Sequence, residues 1–557
     1  MKRRCLALSL WLLPLAGCDN NDTEFWVQTT DPLPMVALDD RVAFVEKNSH
    51  TAFLLDPADP SLTPRLVAVG EAPVTAVKHN GSNQLLVLTQ GNPGSATVSA
   101  VPAELDIVNA VPATPDEKAA SYELTGRFDG LAQSPDGHFV VLYHTSSNQT
   151  ASNAGLFNPN EMMIVDFGEP SLPTPPVLAG KTIRSLGGVP MRIDFSPVFP
   201  FVGGARTLAV VLSQNYVTIL DLAHTDRTEI SVPLCPQSTG CSFTPDQVLF
   251  DPTNLNIYVR SSNAKDIFQI TLTDLGPGIP AGESNDFRAS MSMLSVGGNP
   301  GGMALFGTGA GLRLAVLAPA NRSLVIIDPK TSHTLSVATP IPANVIVPFQ
   351  TPGEFVGDPP RSKAMLVDTL YGSTSVLFAD LELVETTGGL SLRDYPLSTA
   401  ASDVWPLVEQ GIAVLVAGRY ASSTAFTVME LATSSPTDIA ADSQLGTPYL
   451  ETRSPSRLWS AYQGSGLTYL NLVARAGEAD LVTNLVWLDQ SITSIVALTQ
   501  PSTALPGAEP VRYLVVGHGD PRGFGNVTFL DADKPSRDSA RTAYGFLLTN
   551  YLEREQP

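Results

Sequence analysis

Positive charge is scarce in this chain: 33 Lys and Arg stand against 54 Asp and Glu, for a formal net charge of -21. So acidic a surface repels a phosphate backbone, which argues against nucleic acid as a partner and against unaided adsorption to anionic lipid. Histidine is also sparse. His50, His79, His138, His144, His224, His333 and His518 are scattered singly, and they form neither a zinc-protease helix motif nor a Cys/His finger spacing. His138 and His144 fall in one expected strand, where alternate residues share a side by default. No Gly-x-Ser-x-Gly elbow precedes a helix, and no glycine-rich phosphate loop feeds one. No long stretch sustains helical periodicity, and no apolar run reaches the ~20 residues that span a hydrocarbon core.

The N-terminus has a composition of its own. Met1-Lys2-Arg3-Arg4 precedes an apolar stretch from Leu6 to Leu15, and small residues follow at Ala16 and Gly17 before Cys18. A basic head, an apolar middle and a small-residue cleavage site define a signal peptide, and Pro14 stops any longer helix. Leu15-Ala16-Gly17-Cys18 resembles the bacterial lipobox. That resemblance implies cleavage before Cys18 and acylation of its thiol, with two acyl chains sufficient for stable anchoring. The alternative is an ordinary secretory leader in which Cys18 is incidental. Residues 1–17 are thus expected to be the signal peptide and 18–31 a lipidated N-terminus and polar tether, with the body over 32–557. Loss of Lys2, Arg3 and Arg4 with the leader takes the formal charge from -21 to -24.

Of four cysteines, Cys5 leaves with the leader and Cys18 is the lipidation site, leaving Cys235 and Cys241. An oxidising compartment favours a disulfide between these two. Its short loop limits the stabilisation to about 2 kcal/mol on a loop-entropy argument. A redox pair would more typically show Cys-x-x-Cys beside a helix.

The body is 43% hydrophobic overall yet carries 43 Gly and 46 Pro, which favours an all-β fold. A unit recurs along it: a β-rich run, a polar turn, then a second β-rich run often ending in Asp. Thr207 to Asp221 and Arg313 to Asp328 are clear copies. Others run from Val42 to Asp56, Gln84 to Val101, Phe139 to Asp166, Asn256 to Leu272, Lys363 to Asp380, Ile412 to Leu431, Arg457 to Leu472 and Arg512 to Asp531. Each interval between these ten hairpins has room for about four short strands, the content of one propeller blade. The sequence therefore predicts a β-propeller of seven to ten four-stranded blades. Terminal strands are expected to complete a blade between them, with Tyr544-Gly-Phe-Leu-Leu as the last such strand.

The repeat resembles that of the YVTN/lactonase-like propeller superfamily. A Gly-x-x-Pro element stands at Val69–Pro73, Leu186–Pro190 and Val296–Pro300. A Ser-Pro-Asp-Gly turn is intact at Ser134–Gly137 and partial at Asp194–Pro197, Thr244–Asp246 and Asp251–Pro252. Pro fixes φ, Asp accepts turn hydrogen bonds and Gly supplies positive φ, as a strand reversal requires. The resemblance covers most of residues 60 to 335. It implies a lactonase-like hydrolase as one reading, although no catalytic residue of that family matches a motif here and none is assigned. The tryptophan repeats of quinone-cofactor propellers and the Asp boxes of sialidases are missing.

Loops entering the innermost strands ring the channel mouth of a propeller, where a ligand would most naturally bind. They supply Arg127, Asp129, Arg192, Asp194, Asp246, Asp403, Trp405 and Arg453 as candidates. Asp531 to Asp538 lacks the central Gly and terminal Glu of an EF-hand loop. It reads as an exposed turn, with a structural Ca²⁺ tying loops together as the alternative, and no other cofactor is expected. The favoured reading is a lipid-anchored bacterial envelope protein, periplasmic or surface-exposed. Its membrane contact is through lipid alone, and its propeller binds or scaffolds a protein or glycan partner.

Overall fold

A computed structural model describes residues 30–548 except 95, 96, 98, 115, 146–157, 169–174, 184–188, 236–239, 280–283, 309–310, 352–359, 384–390, 418–425, 440–444, 447, 452–455, 473–479, 501–509 and 520–524, and the side chains of 480–484. The leader, Cys18 and all but the last two residues of the tether lie outside the described residues. No helix among the described residues is long and apolar enough to cross a membrane.

The chain folds into ten four-stranded antiparallel sheets, each a propeller blade. Blades 1 to 10 span 36–68, 73–123, 130–182, 192–233, 245–295, 303–338, 345–396, 401–439, 449–487 and 492–544. Strands follow one another outward in chain order. Among the described residues, blade 4 alone interrupts this with an extra hairpin, Phe199–Phe201 paired with Gly204–Arg206, inserted after its first strand.

Every hairpin expected from the sequence is the second and third strand of a blade. These strands read as continuous apolar runs because each blade is covered on both faces. In Leu208–Ser213, Leu208, Val210 and Leu212 pack toward blade 5, while Ala209 and Val211 pack toward blade 3. The period of two is therefore hidden in composition and reappears in packing. One boundary differs from expectation. Gln84–Thr89 pairs with Glu104–Asn109, and Val101 only closes the intervening loop through a bridge to Asn92. Pro93 and Pro102 bracket that loop, and neither has an N–H to donate to a ladder.

Ten apolar clusters hold the ring, one at each junction between neighbouring blades. The tenth joins blade 10 to blade 1, so the blades form one closed ring. Closure does not use strand exchange, contrary to expectation. Blade 1 takes all its strands from the N-terminal side and blade 10 all from the C-terminal side. Residues 546–548 of the expected closing strand form a 3-10 turn after Gly545, whose φ is 60°. Phe546 then packs between the two blades, with ring centroids 4.8 Å from Phe44 and 6.1 Å from Phe53. Backbone and side-chain bonds add to the seam: Thr499 N–H donates to Asp39 O at 3.2 Å, and Arg541 donates to the carbonyls of Pro57 and Asp59.

The terminal Asp of the repeat has a specific task. Asp56, Asp166, Asp221, Asp274, Asp328 and Asp531 each accept the N–H two residues further on, at 2.8 to 3.1 Å, which turns the chain out of the third strand. A basic residue near the start of the second strand faces four of these acids, and Arg361 faces the third-strand Asp380 in the same way. The pairs are Arg41–Asp56, His138–Asp166, Arg206–Asp221, Arg313–Asp328 and Arg361–Asp380, at 2.7 to 4.0 Å. The Asp531 to Asp538 stretch is one of these turns. Asp531 accepts the N–H groups of Asp533 and Lys534, and Asp533 pairs with Arg512 at 3.0 Å.

Candidate functional site

First strands of successive blades touch one another, as Val36–Ala37 does with Pro73–Lys78, so they form the inner wall. Their side chains are mostly half-buried, whereas second and third strands are buried almost throughout. The links that enter each first strand share a face with the turns between second and third strands. Val69 N–H donates to His50 O at 2.9 Å and Thr244 N–H to Ser261 Oγ at 3.0 Å, each joining one kind of loop to the other. Two of the three Gly-x-x-Pro elements, at Val69–Pro73 and Val296–Pro300, are such links. Residues 186–188 of the third lie outside the described residues.

The Ser-Pro-Asp-Gly turn belongs to the opposite face, where it reverses blade 3 from its first strand into its second. Asp136 accepts Ser134 Oγ–H and His138 N–H, and Ser134 Oγ accepts Phe139 N–H at 2.9 Å. Gly137 has φ 75°, and a Cβ there would overlap the carbonyl oxygen of Asn80 in blade 2. Only glycine meets both demands. Asp251 likewise caps its reversal through Asn254 N–H at 3.1 Å. Thr244–Asp246 is no reversal: it enters the first strand of blade 5.

Three candidates meet at the mouth. Arg192 and Asp194, on the first strand of blade 4, pair at 2.6 Å, and Arg192 also reaches Asp246 O at 3.3 Å in blade 5. Asp246 accepts Arg260 Nε–H at 2.7 Å, and Arg260 donates onward to Gly301 O beside blade 6. Two separate guanidinium–carboxylate pairs are thus linked through main-chain carbonyls, the one on Asp246 joining blade 4 to blade 5 and the one on Gly301 joining blade 5 to blade 6. Arg260 was not among the sequence candidates. It lies late in a second strand, in Tyr258-Val-Arg-Ser, and the charge inside that otherwise apolar β run was its visible signal.

The other candidates stand apart. Asp129 accepts Thr145 N–H at 2.7 Å and Thr145 Oγ–H at 2.6 Å, so it buttresses a loop of its own blade. Beside it, burial pushes the imidazole of His144 below its ordinary range, and burial together with the Asp129 charge pushes the Tyr143 phenol up. Arg127 lies in the same entering loop. Asp403 and Trp405 are in the first strand of blade 8, where Trp405 Nε1–H donates to Asp403 at 2.9 Å. Arg453 lies outside the described residues. Cys235 and Cys241 form a disulfide in the link between blades 4 and 5, on the mouth face. Among the described residues, no group of three or more His, Cys, Asp or Glu side chains is arranged to hold a metal ion.

Neither a protein-family model nor a curated protein sequence matches the chain. Among solved structures, dihydro-heme d1 dehydrogenase NirN in complex with DHE is similar at 10% identity over 85% of this chain and 75% of that one, with a TM-score of 0.35. AztD from Citrobacter koseri is similar at 10% identity over 73% and 95%, with a TM-score of 0.32. A putative 6-phosphogluconolactonase from Bacteroides fragilis gives 12% identity over 64% and 93%, with a TM-score of 0.33. At such identities and scores the likenesses assign neither activity nor ligand. The class is fixed by the fold itself: this is a ten-bladed β-propeller.

Proposed function

We propose that the protein is a bacterial envelope lipoprotein, anchored through Cys18, whose propeller serves as a rigid binding module for a protein or glycan partner. The observation that carries this reading is where the chain enters the ring. Asp31 N–H donates to Glu46 Oε1 at 2.9 Å and Leu33 N–H to Val45 O at 2.8 Å, so the tether leaves blade 1 on the mouth face. A tether of about a dozen residues reaches at most roughly 40 Å. It keeps the mouth face close to the membrane and leaves the opposite face of turns available to the envelope. A ring with ten apolar junctions presents such a surface without paying for its ordering on binding.

The test has two arms. Cys18→Ser is expected to move the protein from washed membranes to the soluble fraction, and its persistence in membranes would refute the anchor. Crosslinking in intact envelopes followed by affinity capture is expected to return the same partner repeatedly. Repeated capture of nothing, with a saccharide panel also negative, would refute the binding role.

A further inference from the structure

The face opposite the mouth carries a cleft of about 450 Å³ between blades 2 and 3, a size suited to a small ligand. Two turns form its floor, and both are locked. His79 uses both ring nitrogens, Nδ1 to Ser82 Oγ at 2.8 Å and Nε2 to Gly137 O at 2.7 Å, and its ring lies 4.2 Å from that of Phe167. Asn80 donates from Nδ2 to Ser134 O and from its N–H to Gln133 Oε1, each at 3.0 Å. With Gly137 packed against Asn80, the two blades are joined here by bonds that fix the cleft before any ligand arrives.

Capacity is left over at its surface. Among the described residues, no hydrogen bond engages the Oδ1 of Asn80, the second carboxylate oxygen of Asp136 or the hydroxyl of Tyr122, whereas Asn80 Nδ2 and Asp136 Oδ1 are engaged. Tyr122 and Phe167 supply ring surface in the same cleft. The charges do not select an ion. Among the described residues, Lys118 is the single Lys or Arg of the lining and Asp136 faces the same space, while both oxygens of Glu117 are occupied by Asn109 and the N–H of Ala113. A phosphate or carboxylate ligand would meet too few cations, and a lipid chain would strand the amide and carboxylate oxygens without partners. Rings beside acceptors and a phenol match a molecule with a C–H face and a hydroxyl rim.

We propose that this cleft binds a neutral saccharide, its pyranose ring lying on Tyr122 and its hydroxyls donating to Asn80 and Asp136. The inference rests on reading the propeller as a binding module and names a site and a ligand class for it. The test uses the purified full mature chain, with saturation-transfer NMR and titration calorimetry against three probes: the β-1,4-linked disaccharide of N-acetylglucosamine, cellobiose and maltose. Inorganic phosphate and spermidine serve as charged controls. At least one disaccharide is expected to bind, Tyr122→Ala to weaken it by about tenfold or more, and Tyr122→Phe to weaken it less, because the ring is kept. Tyr122 packs against the apolar cluster between blades 2 and 3, so Tyr122→Ala is expected to lower the thermal midpoint while Tyr122→Phe keeps the packing, and binding to each variant is measured well below its own midpoint. No disaccharide binding at about 10 mM, where even weak sites fill, would overturn the inference. So would binding indifferent to Tyr122→Ala, or binding of only a charged control. If the envelope capture still returned a protein partner, the binding-module reading would survive that failure.

Discussion

Arg206 offers the sharpest perturbation of this fold. It ends the inserted hairpin of blade 4, and its side chain is 1% exposed between Asp221 of the same blade and Asp286 of blade 5, which are 3% and 4% exposed. Its Nη1 lies 2.7 Å from Asp221 and its Nη2 2.9 Å from Asp286, while Arg227 reaches Asp286 at 2.8 Å and Asp221 at 3.3 Å. Two cations and two anions cancel. Arg206→Met keeps the stem but leaves two buried carboxylates to one guanidinium, a loss of about 3–5 kcal/mol. At about 1.4 kcal/mol per decade, that is two to three and a half decades in the local opening constant. Amide hydrogen exchange reads this locally, in Phe199–Arg206 and Phe287–Ser295, with blade 8 as an internal reference. Arg206→Met with Asp286→Asn should cost less than the single change, because Asp221 and Arg227 then form a neutral pair. Burial by itself would raise the Asp286 carboxyl, but the bonds from Arg206 and Arg227 more than reverse this and hold it below its ordinary range. Its stabilising contribution is thus complete above the unfolded value of about 4 and is lost as pH falls through the folded value. Acidification should cost the parent more protection than Arg206→Met. A loss of less than about tenfold in the single variant, or a double variant worse than the single, would refute the reasoning.

Asp106 is fully buried in blade 2, and burial raises its pKa despite bonds from Gly70 N–H at 2.8 Å and Ser121 Oγ–H. A raised carboxyl contributes stability below its unfolded pKa and loses it as pH rises through the folded value, so Asp106→Asn should raise the thermal midpoint at pH 8 but not at pH 4. An equal gain at both would show that its charge is not the cause. Phe546→Ala empties the wedge between blades 1 and 10 and should cost about 3–5 kcal/mol. Proteolytic cleavage and exchange should increase first at that seam, and uniform loss around the ring would contradict closure by side-chain packing.

The second and third strands were legible because burial on both faces gave them uninterrupted Leu, Val and Ile. First and fourth strands were not: Arg192–Phe195 is short and half-exposed, and Ser435–Ile439 reads Ser-Pro-Thr-Asp-Ile. The repeat's Asp was visible, and its basic counterpart stood at the head of the copy that begins Arg313-Leu-Ala-Val-Leu. Only antiparallel register, which sets Leu314 opposite Ile327, puts Arg313 against Asp328. At the mouth, Arg192, Asp194 and Asp246 could be chosen from sequence, yet their meeting depends on which blades adjoin. Arg206 carries no signal in the sequence. It lies in an inserted hairpin, and its partners are 15 and 80 residues away.

The scarcity of cations bears on what the ring can bind. Arg41, Arg206, Arg227, Arg260, Arg313, Arg361 and Arg512 are each engaged by carboxylates of the chain itself. Apart from a few buried carboxylates such as Asp106, Asp251 and Asp368, the acid of the described residues lies at least partly exposed, and it acts differently on the two kinds of partner proposed. A basic protein is drawn to that field, and its association slows and weakens as salt shortens the screening length from about 10 Å at 0.1 M to about 3 Å at 1 M. A neutral saccharide does not feel it. Capture that survives high salt and is competed by free disaccharide assigns the partner to the cleft between blades 2 and 3. Capture that salt abolishes assigns it to the acidic surface and leaves the cleft to be judged by Tyr122 alone.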